Sequence, residues 1–298
     1  MSATDATDAT ATPAVHAAPV ATTHRPPRAG LGSCLRWEVR KLRAQLRTRA
    51  VLAAAVILPI PVVVVIHGQA RPPKDTLFGR FATENGFALA LLVLGFAAQW
   101  ALPLLTAVVA GDIFASEDQH GTWKTVLTRS ADRGRLFWAK TIAACGFTTL
   151  VLVLLAASTI IAGVLVVGHQ PLTGLTGQTI PPRTALELVC ASWASMLPPM
   201  LAFTCLALLL SVWSRNSAVG IAAPVVIGMV MQLVGALGGV EAIRPFLLST
   251  PSEAWHGLLT SPRFTGPLVE GSLACAGWAV VCLVTAFLIL RRRDITGG

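Results

Sequence analysis

The chain has 298 residues, 54% of them apolar and 12% charged, with a mean hydropathy of +0.68. So few charges exclude an ordinary soluble enzyme and indicate an all-α polytopic membrane protein. The net charge of +9 would suit nucleic acid on a soluble face. Here, however, Lys and Arg sit beside apolar runs, the pattern of topogenic charge held against anionic lipid, so no nucleic-acid partner is expected.

Residues 1–30 are rich in Ala, Thr and Pro without apolar periodicity, which predicts a disordered cytoplasmic tail. No basic stretch leads there into an apolar core with a small-residue cleavage site, so no signal peptide is expected. Residues 31–49 change character. Leu35, Val39, Leu42 and Leu46 follow at spacings of 4, 3 and 4, while Arg36, Arg40, Lys41, Arg43 and Arg47 crowd the rest. This predicts an amphipathic interfacial helix that buries its apolar stripe and offers cations to lipid phosphates or to a docking partner.

Six apolar runs follow at about 50–67, 86–111, 140–167, 185–212, 218–240 and 268–290. Each has about the 20 residues, or more, that a helix needs to cross the hydrocarbon core. If the flanking segments alternate sides, 17 Lys and Arg fall on the side of both termini and 6 on the other. Both termini, the loop between spans 2 and 3 and the five-residue tail 294–298 are therefore expected to be cytoplasmic. Pro59, Pro61, Pro103, Pro198, Pro199 and Pro224 fall within spans 1, 2, 4 and 5 and mark candidate hinges. The loop 241–267 carries apolar residues at helical spacing between prolines, which predicts re-entrant or surface helices.

Residues 112–140 form a mixed-charge interruption between spans 2 and 3 that still holds Ile113, Phe114, Trp123, Val126, Leu127, Leu136, Phe137 and Trp138. A segment this charged cannot lie in lipid, and one this apolar is not a plain linker. It reads as short amphipathic helices at the membrane surface, suited to being gripped by a partner.

Searches for chemistry of the chain's own return little. The phosphate-binding pattern G-x-x-x-x-G-K-[ST] is absent; residues 174–179 lack the lysine, and residues 121–125 lack the leading glycine. Two E-x-x-H strings, Glu117 to His120 and Glu253 to His256, fall on opposite sides of the predicted membrane and cannot share a metal, so none is expected. No C-x-x-C occurs among the six cysteines, five of which lie within apolar spans as small hydrophobes. No charged residue lies near the middle of a span, which argues against an ion-coupled carrier. Gln99, Thr106, Ser195 and Gln232 are candidates to line a translocation path, or to serve as interhelical hydrogen-bond partners.

This layout resembles the permease subunits of type-2 ATP-binding-cassette (ABC) exporters. The matching residues are Glu117, Gly121 and Thr122 in an E-x-x-x-G-T string, then Leu127, Arg133 and Lys140, together with the tight link 211–220 between spans 4 and 5. Ser130-Ala131 departs from relatives that carry a proline before the arginine. The resemblance covers about residues 33–293. It implies a cytoplasmic coupling helix between spans 2 and 3, with Glu117, Gly121, Thr122, Leu127 and Arg133 coupling to a cytoplasmic ABC ATPase. It also implies a plasma-membrane exporter of an amphiphilic drug, peptide or lipid, working as a homodimer or with a second permease. Under it the chain is not itself an enzyme and holds no cofactor; ATP and Mg belong to the partner ATPase. Two other classes stay open: a membrane-embedded sensor, scaffold or enzyme without transport, and an ion-coupled secondary carrier.

Overall fold

The computed structural model describes residues 30–69, 76–121 and 132–292. The N-terminal tail, most of the segment after Gly121 and the final six residues lie outside the described residues, and with them Thr122, Leu127 and the expectations placed on residues 1–29.

Six helical spans form one bundle: Leu46–His67, Gly86–Ala110, Arg133–Val166, Pro182–Ser214, Ser217–Ala236 and Gly266–Arg292. Spans 2 and 4 are the most enclosed, whereas span 5 carries open apolar side chains such as Val226, Val230 and Leu233. An aliphatic surface of this kind needs lipid or another protein against it, because water would pay nothing back for ordering around it.

Helix continuity tracks proline. Span 1 breaks at Leu58, directly before Pro59. Span 2 widens into a π-helical turn over Ala97–Ala101, just ahead of Pro103. Span 4 interrupts at Ser195 and Met196, before Pro198 and Pro199. Span 3, without proline, runs unbroken for 34 residues, and span 6, whose single proline Pro267 sits in its first turn where no intrahelical donor is lost, for 27. Proline removes one backbone donor and crowds the preceding turn, so the break falls on its N-terminal side. Pro224 lies inside an uninterrupted span 5.

Span 3 starts at Arg133, two helical turns earlier than the apolar run implies. At about 1.5 Å per residue its 34 residues extend about 50 Å, well beyond a hydrocarbon core of about 30 Å. Lys140, expected to open the span, therefore lies within the helix and is fully buried.

The N-terminal helix runs Leu31–Ala44 and ends at an extended Gln45, so Leu46 to Arg49 belong to span 1. The expected apolar stripe is also rotated. The row packed on the bundle is Cys34, Glu38 and Leu42, while Val39 and Leu46 are exposed.

Two glycine pairs set the closest helix crossings. A Cβ on Gly111 or Gly220 would overlap the other's carbonyl where spans 2 and 5 meet, and Gly86 meets Gly163 in the same way where spans 2 and 3 meet. Asn85 starts span 2: its Oδ1 accepts from the Phe87 and Ala88 amides, and its Nδ2 donates to the Gln170 and Pro171 carbonyls, each at 2.9 Å. Asn216 caps span 5 in the same manner, directly after Arg215 turns the chain through a left-handed conformation (φ 55°). Each cap satisfies amide donors that a helix start leaves unpaired.

Between spans 5 and 6 the chain folds back as two 3₁₀ segments, Arg244–Phe246 and Pro251–Leu259. Trp278, thirteenth in the last helix, donates its indole N–H to the Phe246 carbonyl at 2.8 Å. The loop thus reaches about halfway along span 6, with its apolar residues in short helical turns as expected for 241–267.

Candidate functional site

At the end of the bundle shared by the N-terminal helix, the start of span 3 and the turn between spans 4 and 5, six charges gather. Asp112 and Glu117 flank the start of the short helix Ala115–Gln119. Glu117 pairs with Lys41 of the N-terminal helix and, at 3.0 Å, with Lys140 of span 3. Lys140 also lies 2.9 Å from Glu38 Oε1 and donates to the Ile113 carbonyl at 3.1 Å. Arg47 pairs with Asp112. Glu38 and Lys140 are fully enclosed, and Glu117 and Asp112 are buried. Three acids and three bases balance, which buried charges require. The contact on Glu38 is an ion pair in distance without the angle of a directed hydrogen bond, so its carboxylate oxygens keep hydrogen-bonding capacity unfilled.

Further contacts seat the short helix. The Ser211 hydroxyl of span 4 accepts from the Phe114 and Ala115 amides at 3.3 and 3.0 Å. Ser217, opening span 5, donates to Gln119 at 3.0 Å. Phe114 packs on Phe137 of span 3, which packs on Phe287 of span 6. This one turn and a half of helix is thereby joined to the N-terminal helix and to four spans.

Of the residues expected to couple to an ATPase, Glu117 is turned inward, where it locks the short helix to its neighbours, and does not present its carboxylate to a partner. The exposed positions of this segment are Gln119, His120 and Gly121. Gly121 has the left-handed φ of +64° that ends a helix with little strain in glycine. Arg133 begins span 3 and reaches the Arg291 carbonyl of span 6 at 3.3 Å. On the interfacial helix, Arg36, Arg40 and Arg43 are exposed, whereas Lys41 joins the buried cluster.

The path candidates divide. Gln99, in the π turn of span 2, and Gln232 of span 5 face one common recess with Ser252 and Glu253 of the loop between spans 5 and 6. That recess continues into a cavity of about 370 Å³ lined by Phe78, Leu91, Phe96, Trp255 and His256. Thr106 and Ser195 do not reach it. The Thr106 hydroxyl donates to the Leu102 carbonyl at 2.9 Å, and Ser195 to the Ser192 carbonyl at 2.7 Å, so each is spent on its own helix.

Trp255 is buried between Phe78, with ring centres 6.0 Å apart, and His256 at 3.9 Å. Burial holds the His256 imidazole below its ordinary range, opposed in part by the Glu253 carbonyl and charge. The loop between spans 5 and 6 brings a carboxylate level with the middle of span 2. Gln99 lies 13 residues after Gly86, about 20 Å along span 2, and Glu253 shares its recess.

Sequence reasoning missed Glu38, Asp112 and Lys140 as one cluster, and Glu253 as a carboxylate sharing a recess with Gln99 and Gln232. Glu38 carried a signal, being the only acid in an otherwise basic helix. Glu253 was weighed only as a metal ligand.

No curated protein matches the chain. The model of the ABC-2 family transporter proteins matches residues 34–234, from the N-terminal helix to the end of span 5, about two thirds of the sequence. A six-span bundle with that match belongs to the ABC-2 transporter family, as a membrane subunit for which the family implies a separate ABC ATPase partner.

Proposed function

We propose that this chain is the permease subunit of an ABC exporter in the plasma membrane, moving an amphiphilic drug, peptide or lipid outward. It pairs with itself or with a second permease, and two ATPase subunits bind ATP and Mg on its behalf. The termini, the N-terminal helix and the segment Ala115–Gln119 lie in the cytoplasm in this reading, as the Lys and Arg distribution supports.

The observation that carries the reading is the balanced ion cluster of Glu38, Lys41, Glu117 and Lys140. A permease without an engine must receive motion through a stiff element. A short helix held by buried charge, a serine cap and stacked rings cannot shift without taking span 3 and the N-terminal helix along. The exposed tip Gln119–Gly121 and the segment after it supply the gripping surface, and Glu117 transmits from behind it.

Co-expression with a cognate ATPase tests this. The ATPase should co-purify, and Glu117→Gln should lower substrate-stimulated ATP hydrolysis while the ATPase stays bound and the permease stays inserted. Full stimulation in that variant would remove Glu117 from the transmission route. Activity or transport by the chain with no ATPase present would overturn the permease reading in favour of a stand-alone enzyme or carrier.

A further inference from the structure

The recess between the π turn of span 2 and the loop joining spans 5 and 6 combines features that no contact in the fold explains. Glu253 is open to the cavity and has no Lys or Arg within ion-pair distance among the described residues. Among the described residues, neither part of the cavity has a Lys or Arg in its lining. Exposed to the cavity beside the middle of span 2, this carboxylate has its charge available to a ligand, and ionisable groups set among apolar spans are commonly functional. Around it stand two side-chain amides, Gln99 and Gln232, and the aromatic side chains Phe78, Phe96 and Trp255. The π turn is itself a departure from regular helix of the kind that recurs at functional sites.

From this juxtaposition we infer that the cavity binds an amphiphilic organic monocation, with Glu253 as its counter-ion, Gln99 and Gln232 orienting the polar end, and the aromatic wall receiving the apolar body. The volume of about 370 Å³ suits one small molecule. A zwitterionic headgroup fits less well, since its phosphate would meet the carboxylate with no cation among the described residues of the lining. The same chemistry, a quaternary cation on an apolar body, could also come from a choline lipid, so the test separates the two. The inference rests on the transport reading for the purpose of the site, and binding itself is measured without an ATPase.

The probe is tetraphenylphosphonium, a permanent cation, set against tetraphenylborate, which has the same shape and the opposite charge. Equilibrium dialysis would use the purified full chain in nanodiscs, with protein-free nanodiscs subtracted. Saturable binding of the phosphonium is expected, with no saturable binding of the borate. Glu253→Gln should weaken the phosphonium by about tenfold or more, and Glu253→Asp by less, both variants keeping the wild-type melting temperature. Affinity should be equal in phosphatidylglycerol and phosphatidylcholine nanodiscs. Absent phosphonium binding, equal binding by Glu253→Gln, or saturable borate binding would overturn the site. Phosphonium displaced by phosphatidylcholine would assign the cavity to the lipid headgroup instead and overturn the free-cation form. None of these results bears on whether the short cytoplasmic helix drives the protein, which the ATPase experiment measures separately.

Discussion

Lys140 is the hinge pin of the ion cluster, and its removal is the sharpest structural perturbation available. It alone neutralises Glu38, whose only cationic partner among the described residues it is, and it shares Glu117 with Lys41. In Lys140→Met the aliphatic stem is retained, the Ile113 carbonyl loses its donor, and Glu38 is left enclosed and uncompensated. Breaking a buried pair in this way costs about 3–5 kcal/mol. At roughly 2 °C per kcal/mol for a chain of this size, the melting temperature should fall by about 6–10 °C. The double variant Lys140→Met with Glu38→Met removes both charges and leaves the Glu117–Lys41 pair intact. Apolar replacement of a buried pair is often neutral, so most of the loss should be recovered. Thermal unfolding in detergent, followed by size-exclusion chromatography, measures both. A single variant within about 1 kcal/mol of wild type, or a double variant no better than the single, would refute the claim that Glu38 and Lys140 are energetically coupled.

Other outcomes follow from the packing and from the buried imidazole. Gly220→Leu should separate spans 2 and 5, because any Cβ there meets the Gly111 carbonyl; overpacking of this kind costs about 1–3 kcal/mol, read as a lowered melting temperature. Gly238→Leu, with open space around its position, should leave it unchanged. His256 has a folded-state pKa below its ordinary 6.5 because of burial. The unfolded chain therefore binds the proton more readily, and the stability this imidazole contributes is complete above about pH 6.5 and falls as pH drops through its lowered pKa. Melting curves from pH 7.5 to 5 should show a steeper loss for wild type than for His256→Gln; parallel curves would contradict the assignment.

Much of the architecture was legible because lipid imposes a simple rule: runs of about 20 apolar residues span, and charge stays out. The six spans and the breaks near Pro59, Pro103 and Pro198 follow from that rule and from proline's missing donor. What was not legible depends on contacts between distant residues. Periodicity chose Leu35, Val39, Leu42 and Leu46 as the buried stripe of the N-terminal helix, but the bundle contributes a buried lysine, so Glu38 faces inward and Val39 outward. Hydropathy started span 3 at the last charge, Lys140, because a lone lysine scores as a boundary. Paired with two carboxylates, it is tolerated seven residues inside the helix. Gln99 and Gln232 were singled out together with Thr106 and Ser195, yet only the amides reach the recess. A hydroxyl bonds readily to its own helix one turn back, whereas a longer amide projects past it. Glu253 comes from a loop, and no span-by-span reading locates a loop residue beside the middle of a span.

The central claim is that the turn ending at Gly121 is a cytoplasmic knob through which an ATPase drives the bundle. Its most direct test is His120→Cys, an exposed position, treated with a membrane-impermeant maleimide in right-side-out and inside-out vesicles, with and without the ATPase. The account predicts labelling only in inside-out vesicles and protection by the bound ATPase. Labelling confined to right-side-out vesicles would contradict it.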